Sequence, residues 1–210
     1  MSYAVKEIFY SLQGEGRHSG RPAVFCRFAG CNLWSGRERD RASATCNFCD
    51  TDFVGVNGDG GGRFNDARSL AKAIEGKWGD GRQQRFAVLT GGEPLLQVDY
   101  ELLSAIHNLA FEISLETNGS FRVPSEIDWI TVSPKGSTPL AQTTGDELKL
   151  VFPQKDADPA KFEDLAFDHF LLQPLDGPDL ESNTAAAIAY CLHHPRWRLS
   201  LQTHKFMGIR

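Results

Sequence analysis

Apolar residues follow two spacings along the chain, one typical of strands and the other of helices. Short apolar runs predict eight strands, at Val5–Phe9, Ala23–Phe28, Arg85–Leu89, Glu112–Leu115, Trp129–Val132, Leu148–Phe152, His169–Leu172 and Arg198–Leu201. Helical spacing predicts three helices, at Ala67–Trp78, Leu102–Leu109 and Ala185–Leu192. Asn65 or Asp66 is a candidate N-cap for the first helix. The stretch from about Gly30 to Phe64, which includes the turn-rich segment Gly55–Gly62, shows neither spacing and is predicted to be irregular.

The order of these elements predicts an α/β fold. Strands that alternate with helices pair in parallel through crossover connections. The helices are incomplete, because Ser133–Glu147 lacks a helical period and Pro159–Leu165 has room for a short helix at most. A full (β/α)8 barrel takes about 250 residues, whereas this chain has 210. We therefore expect residues 1–210 to form a single domain, a shortened, partial (β/α) barrel with an irregular loop.

Polar residues directly follow six of the predicted strands. They are Cys31, Thr90–Pro94, Glu116–Gly119, Ser133–Lys135, Gln173 and Gln202–His204. The carboxyl ends of parallel strands converge on the active site in α/β sheets and barrels. These side chains are therefore predicted to meet in one cavity. The alternative is that the strands simply end in polar turns.

Charge and composition exclude several classes of protein. Lys and Arg number 22 and Asp and Glu number 27, and the net charge of −5 argues against a generally basic surface for nucleic acid. No apolar run approaches the ~20 residues of a transmembrane helix, and Lys6 and Glu7 stand where a signal peptide would be apolar. We expect a cytoplasmic protein with no membrane or nucleic-acid partner, whose five cysteines stay reduced and serve metal or redox chemistry.

Three of the cysteines form a candidate metal-binding set. Cys31, Cys46 and Cys49 have the spacing C-x14-C-x2-C. Cys26 in a predicted strand and Cys191 in a predicted helix are expected to be buried apolar residues. Three thiolates admit a structural zinc site with a fourth ligand, an electron-transfer cluster, or a four-iron cluster that leaves one iron open.

The surroundings of the cysteines resemble the radical S-adenosylmethionine superfamily. Phe48 precedes the last cysteine, and Thr90–Pro94 reads Thr-Gly-Gly-Glu-Pro after a strand. The resemblance implies a [4Fe–4S] cluster on the three cysteines, with S-adenosylmethionine on the open iron. Glu93 is then expected to accept a hydrogen bond from the ammonium group of the methionine, although Gly-Gly-Glu also suits a tight strand-to-helix turn.

A longer set of motifs resembles one family in that superfamily, the 7-carboxy-7-deazaguanine synthases. Glu7–Gly16 contains Ser-x-Gln-Gly-Glu-Gly, the match is dense over Glu7–Leu33, and it resumes at residues 46–51, 90–94, 116–119, 133–135 and 202–205. The chain departs from the C-x3-C-x2-C spacing usual in the superfamily, because Ser35 stands where a cysteine is expected. The insertion Trp34–Thr45 precedes Cys46 and carries Arg37, Arg39 and Arg41.

The resemblance implies a radical ring contraction of 6-carboxy-5,6,7,8-tetrahydropterin to 7-carboxy-7-deazaguanine, with release of ammonia, towards queuosine. S-adenosylmethionine would be cleaved to a 5′-deoxyadenosyl radical and regenerated, so no side chain is expected to act as acid or base. It also implies Mg²⁺, a homodimer and an electron donor such as flavodoxin. The alternatives are an activase that forms a glycyl radical in another protein, and a zinc-binding module without turnover.

The resemblance and side-chain chemistry together assign candidate roles. Those for the pterin substrate are Leu12, Gln13, Gly14, Glu15, Arg27, Thr90 and His204. Those for S-adenosylmethionine are Phe48, Gly91, Gly92, Glu93, Glu116, Asn118, Ser133, Lys135 and Gln173. Arg27 suits a carboxylate because its planar fork binds two oxygens, and it shares a strand face with Phe25. Thr51 is the candidate Mg²⁺ ligand, with Asp50 as its rival on charge alone.

Overall fold

Nine strands form one open sheet in the computed structural model, which describes residues 2–81 and 83–210. The strands are β1 Tyr3–Leu12, β2 Pro22–Phe28, β3 Gly62–Phe64, β4 Arg85–Gly91, β5 Phe111–Thr117, β6 Trp129–Val132, β7 Thr144–Phe152, β8 Ala166–Pro174 and β9 Trp197–Leu199. Their order across the sheet is β3-β1-β2-β4-β5-β6-β7-β8-β9. Within the described ranges the edge strands β3 and β9 do not pair, so the predicted partial barrel is confirmed.

Four α-helices accompany the sheet in the part of the chain that the structure describes. They are α1 Ala67–Trp78, α2 Tyr100–His107, α3 Leu180–His193 and α4 Thr203–Met207, and short 3-10 helices lie at Glu38–Ser43, Pro94–Leu96 and Pro159–Phe162. Asp66 is the N-cap of α1, as predicted, because its side chain accepts a hydrogen bond of 2.7 Å from the Ser69 amide. No helix of the described residues is long and apolar enough to cross a membrane.

The first strand does not follow the predicted parallel arrangement. β1 is antiparallel to both β2 and β3, whereas every neighbouring pair from β2 to β9 is parallel. Residues 13–21 connect β1 to β2, and this length is too short for a crossover connection. The Gln13 amide donates to the Arg21 carbonyl at 2.8 Å, which closes the connection as a hairpin.

The outer face of the sheet packs against the helices. In β2, Val24, Cys26 and Phe28 lie in a buried cluster with residues of α1 and α2. A second cluster joins β7 and β8 to α3, and Cys191 packs against it while remaining half-buried. The predicted burial of Cys26 is confirmed. Since successive residues of a strand face opposite sides, Arg27 and Phe25 lie on the inner face.

The connection between β1 and β2 closes the amino end of the barrel. His18 stacks edge-on against Trp129 at 4.3 Å and lies 5.2 Å from Phe86, measured between ring centroids. The amide of Arg17 donates to the Glu147 carboxylate at 2.8 Å. Residues 13–21 therefore cover the inner face at the amino ends of the parallel strands, and we call this segment, together with Leu12, the floor.

The last residues of the chain lie against this same hairpin. The amide and hydroxyl of Thr203 both donate to the Gly14 carbonyl, at 2.8 and 2.9 Å. The Ser11 hydroxyl donates to the Arg210 carbonyl at 2.6 Å. Residues 203–210 thus extend from the end of the parallel run back to β1. The sequence did not predict α4, because five residues are too few to establish a helical period.

Four further elements differ from the sequence prediction. The last strand is Trp197–Leu199 rather than Arg198–Leu201. α3 begins at Leu180, and its buried position is Ala187, whereas Leu192, predicted to lie on its apolar face, is 76% exposed. The irregular stretch from Gly30 to Phe64 contains the short helix Glu38–Ser43 and strand β3, which are too short for sequence periodicity to reveal.

Candidate active site

One cavity of about 360 Å³ lies inside the partial barrel, above the floor formed by the β1–β2 connection. The predicted site residues that line it are Leu12, Gln13, Gly14, Glu15, Arg27, Cys31, Cys46, Phe48, Cys49, Thr51, Thr90, Gly91, Gly92, Glu116, Asn118, Ser133, Lys135, Gln173 and His204. The predicted convergence of the strand ends is therefore confirmed. The segment Leu12–Glu15 follows the carboxyl end of β1, but this end lies at the amino ends of the parallel strands, because β1 runs antiparallel to β2.

The three spaced cysteines lie on the wall of this cavity. The neighbouring Cys46 thiol lowers the pKa of the Cys49 thiol to about 6. Burial raises the pKa of the Cys31 thiol, although its sulfur accepts a hydrogen bond of 3.4 Å from the Leu33 amide. No three His, Cys, Asp or Glu side chains of the described residues lie close enough together to surround a single ion. A four-iron cluster does not require that convergence, since each thiolate binds a different iron.

The two glycines before Glu93 bring the backbone of β4 against β2. A Cβ atom on Gly92 would collide with the Gly30 carbonyl and lie 2.8 Å from the Cβ of Cys31, so a larger residue would displace the segment that carries a thiolate. A Cβ atom on Gly91 would collide with the Phe28 carbonyl. This close approach is the structural reason for glycine at both positions.

The Glu93 carboxylate does not reach the cavity, contrary to the expectation that it accepts from an ammonium group. Glu93 is fully buried behind the wall. Its oxygens accept hydrogen bonds from the Thr117 hydroxyl at 2.8 Å, the Asn118 amide at 2.8 Å and the Leu95 amide at 3.0 Å. These three donors tie the Glu93 carboxylate to the turns after β4 and β5.

Arg27 lies on the cavity wall beside a carboxylate that the sequence analysis did not assign. Its Nε donates to Glu7 at 2.9 Å, and Glu7 also pairs with Arg210. The described residues offer no hydrogen-bond acceptor to the two Nη groups of Arg27. The fork therefore keeps donors free to bind an anion in the cavity.

A buried lysine that the sequence analysis missed links the floor to the strands. Lys149 of β7 lines the cavity, and its Nζ lies 2.6 Å from Glu15 and 3.5 Å from Glu116. Burial would lower the pKa of Lys149, but the charges of Glu116, Glu15 and Glu147 raise it. The lysine is therefore protonated. The sequence carried a signal for it, because Glu147 and Lys149 alternate with leucines in an otherwise apolar strand.

Lys149 also determines the protonation state of Glu15. Burial would raise the pKa of Glu15, but the ammonium group of Lys149 and a hydrogen bond from Gln202 at 2.9 Å lower it to about 2. Gln13 donates to Glu116 at 3.0 Å and accepts from the Glu15 amide at 3.1 Å. The floor thus presents an ionised carboxylate and an oriented amide to the cavity.

The two candidate magnesium ligands lie in different surroundings. Asp50 is paired with Lys205 at 2.6 Å and accepts from Gln202 at 3.3 Å. Thr51 lines the cavity, and its hydroxyl has no hydrogen-bond partner in the described parts of the chain. Asp50 also lines the cavity, but it shares the ammonium group of Lys205 with Asp176, whereas the Thr51 hydroxyl has no protein partner among the described residues.

The remaining candidate side chains are held by neighbours at the strand ends. Asn118 donates to Asn32 at 2.9 Å. Lys135 donates to the Ser133 hydroxyl at 2.5 Å and lies 5.9 Å from the centre of the Phe48 ring.

His204 packs so closely on Gly14 that a Cβ atom there would collide with its ring. This contact brings the last helix into the wall of the cavity. The tertiary structure thereby places His204 beside the floor segment, although the two are far apart in sequence.

Comparisons with known proteins give one consistent family. No family model matches the chain. Proteins named 7-carboxy-7-deazaguanine synthase are similar over the full length of both chains, with 62% identity for Bradyrhizobium diazoefficiens and 61% for Bordetella pertussis. A crystal structure of QueE from Escherichia coli has a TM-score of 0.73 and 26% identity, and the match covers 97% of this chain and 95% of that one.

The Lys149→Met substitution is expected to destabilise the protein. It leaves buried carboxylates without their counter-charge, which costs about 3–5 kcal/mol of unfolding free energy. Urea unfolding of the metal-free protein measures the loss. Lys72→Met is the matched control, because Lys72 forms an exposed ion pair with Glu75.

The loss from Lys149→Met is also expected to depend on pH. The low pKa of Glu15 in the folded protein contributes stability above its ordinary value of 4.5, and this contribution fades as the pH falls towards about 2. The difference between the two proteins should therefore shrink on acidification. A difference that grows in acid, or no destabilisation at neutral pH, would contradict this account of Lys149.

Proposed function

The chain belongs to the 7-carboxy-7-deazaguanine synthase family, and we propose that the cavity inside its partial barrel is where the reaction takes place. The enzyme converts 6-carboxy-5,6,7,8-tetrahydropterin to 7-carboxy-7-deazaguanine with release of ammonia, a step towards queuosine. Membership of this family excludes the two alternative functions, a glycyl-radical activase and a zinc-binding module without turnover. The observation that carries the proposal is that the spaced cysteines and the segment Leu12–Glu15 line the same cavity.

The donor set fits a [4Fe–4S] cluster with one open iron. Cys31, Cys46 and Cys49 would hold the cluster, since three thiolates share one wall and no fourth cysteine of the described residues lines the cavity. When bound, the cluster and S-adenosylmethionine supply the 5′-deoxyadenosyl radical that removes a hydrogen atom from C6 of the substrate.

Arg27 would bind the carboxylate of the pterin. Its free Nη donors form the fork that matches two carboxylate oxygens. Glu7 holds the Nε of the same guanidinium and so fixes the plane in which the fork points. Thr90, the neighbour of Arg27 in the register of β2 and β4, would add a hydroxyl beside the same group.

The floor residues would bind the edge of the pterin that lies opposite its carboxylate. Ring N–H groups and an exocyclic amine need acceptors, and an ionised Glu15 with the Gln13 amide provides them. The backbone of Leu12 and Gly14 supports this edge, and His204 would close it from the last helix. Lys149 keeps Glu15 charged without occupying all of its lone pairs.

S-adenosylmethionine would lie along the strand ends beside the cysteines. The backbone of Gly91, Gly92 and Glu93 would approach its methionine group, and Phe48 would cover its adenine. The polar side chains proposed around its ribose and carboxylate are Glu116, Asn118, Ser133, Lys135 and Gln173. Lys135 suits the carboxylate by charge.

Mg²⁺ would bind at Thr51. A hard cation prefers oxygen ligands and keeps several waters, so one hydroxyl on the cavity wall is a sufficient protein ligand. The pairing of Asp50 with Lys205 supports Thr51 over Asp50.

We also propose the assembly and setting that the family resemblance implies. These are a single domain over residues 1–210, a homodimer, a flavodoxin-type electron donor and a cytoplasmic location.

Anaerobic reconstitution followed by turnover tests the function. The wild-type protein should hold about four irons per chain and release one ammonia for each carboxypterin converted. Cys31→Ala should lose both, because the cluster lacks a ligand. Cys191→Ala is the control and should retain both, since Cys191 lies outside the cavity. Turnover by the Cys31→Ala protein would refute the cluster assignment.

Arg27→Ala should raise the KM for the carboxypterin. The loss of charge-assisted hydrogen bonds corresponds to a change of roughly 10- to 100-fold. Arg27→Lys should fall between wild type and alanine, because it keeps the charge without the fork. Steady-state kinetics measure this, with iron content and the KM for S-adenosylmethionine as internal controls. An unchanged KM for the pterin would remove Arg27 from the site.

Thr51→Ala should weaken the dependence of turnover on Mg²⁺, because the oxygen ligand is lost. Thr51→Ser should restore it. Asp50→Asn is the comparison, and it should leave the Mg²⁺ titration close to that of wild type. If Asp50→Asn shifts the titration and Thr51→Ala does not, then the ligand is Asp50.

A further inference from the structure

The insertion between the first two cluster cysteines has little apolar packing of its own. Its helix, Glu38–Ser43, contains no buried residue. Hydrophobic burial therefore does not hold this helix against the rest of the protein. Trp34, at the start of the insertion, is buried and stacks edge-on against Phe53 at 5.6 Å.

Arg41, in the last turn of this helix, ties the insertion to the cysteine segment. Its Nη1 donates to the carbonyls of Asn47 and Cys49, at 2.9 and 3.0 Å. Its Nε donates to both oxygens of Glu38, at 2.7 and 2.9 Å. The centre of its guanidinium lies 4.1 Å from the middle of the Trp34 ring.

The cysteine segment has few other backbone restraints. Apart from the turn at Asn47–Phe48 itself, the other backbone hydrogen bond to Cys46–Cys49 within residues 2–81 and 83–210 is a long one, from the Cys46 amide to the Leu33 carbonyl at 3.5 Å. The two bonds from Arg41 therefore account for the short polar contacts that fix this turn. Both carbonyls lie between or beside the two thiols whose spacing must suit the cluster.

We propose that Arg41 is a positioning residue that holds the Cys46–Cys49 segment in the conformation that binds the cluster. The proposal rests on the proposed function. One planar guanidinium reaches two carbonyls, a carboxylate and an aromatic face at the same time, and the compact ammonium group of a lysine does not reproduce that geometry. The insertion thus lengthens the cluster loop and also supplies, in Arg41, the side chain that restrains it.

Arg39 provides a matched control in the same helix. Its side chain is 73% exposed, and its ion pair is a 3.5 Å contact with the adjacent Asp40. Arg39→Ala removes the same charge and the same number of side-chain atoms from the same loop. It leaves the contacts to Asn47 and Cys49 unchanged.

The first test compares the rates at which the cluster is lost. Wild type, Arg41→Ala, Arg41→Lys and Arg39→Ala are reconstituted without oxygen and exposed to a ferrous-iron chelator. Losing the hydrogen bonds of Arg41 should speed cluster loss about tenfold, the equivalent of ~1.4 kcal/mol. Arg41→Lys should lose its cluster almost as fast, and Arg39→Ala should match wild type.

The second test uses the metal-free protein, so its result does not depend on the cluster. Cys46 is 5% exposed, so its alkylation by a thiol reagent, followed by mass spectrometry, should be faster in Arg41→Ala than in wild type or Arg39→Ala. Alkylation of the buried Cys26 in β2 should stay unchanged. Equal behaviour of Arg41→Ala and Arg39→Ala in both tests would overturn the proposal. Full rescue by Arg41→Lys would overturn the role of the fork. If wild type forms no four-iron cluster, the proposed function fails instead, and the alkylation test still decides the role of Arg41.

Discussion

The cavity depends on the two-residue period of strands that are covered on both faces. Alternate residues of such a strand enter two different environments, one packed with helices and the other inside the barrel. In β2, Val24 and Cys26 lie in the outer core while Arg27 faces the cavity. A shift of one residue in register would bury the guanidinium among aliphatic side chains and expose the core residues. The apolar residues of the outer face therefore fix which polar side chains the cavity receives.

Charge compensation joins parts of the chain that the strand pattern alone does not connect. Lys149 comes from the middle of the parallel run, Glu15 from the hairpin floor and Gln202 from the residues after the last strand. A buried ammonium group requires carboxylates, and buried carboxylates require donors. This mutual requirement keeps the floor charged and ordered beneath the proposed pterin site. Nearer the surface, Lys205 forms ion pairs with both Asp50 and Asp176, and the Thr51 hydroxyl stays without a protein partner among the described residues.

The cluster loop, Cys31–Cys49, is ordered in a different way, because no strand pairing fixes its backbone. Close backbone contact orders its first part, because Gly92 abuts Gly30 and Cys31. Polar contacts from Arg41 order its second part. The close backbone contact needs glycine, and the polar contacts need a long side chain with several hydrogen-bond donors. An insertion within the motif is therefore compatible with the same three thiolates.

Local signals in the sequence determined the cysteine set, the parallel run of β2 and β4–β9, the polar strand ends and the family. Each of these depends on residues close together in the chain or on a pattern with a fixed period. Tertiary structure alone decided the antiparallel direction of β1, the buried face of α3 and the pairing of Lys149 with Glu15. It also turned Glu93 away from the cavity, because Thr117 and Asn118 meet its carboxylate from another strand. These outcomes depend on which distant group satisfies a buried charge or covers an apolar face, and spacing along one chain does not specify that partner.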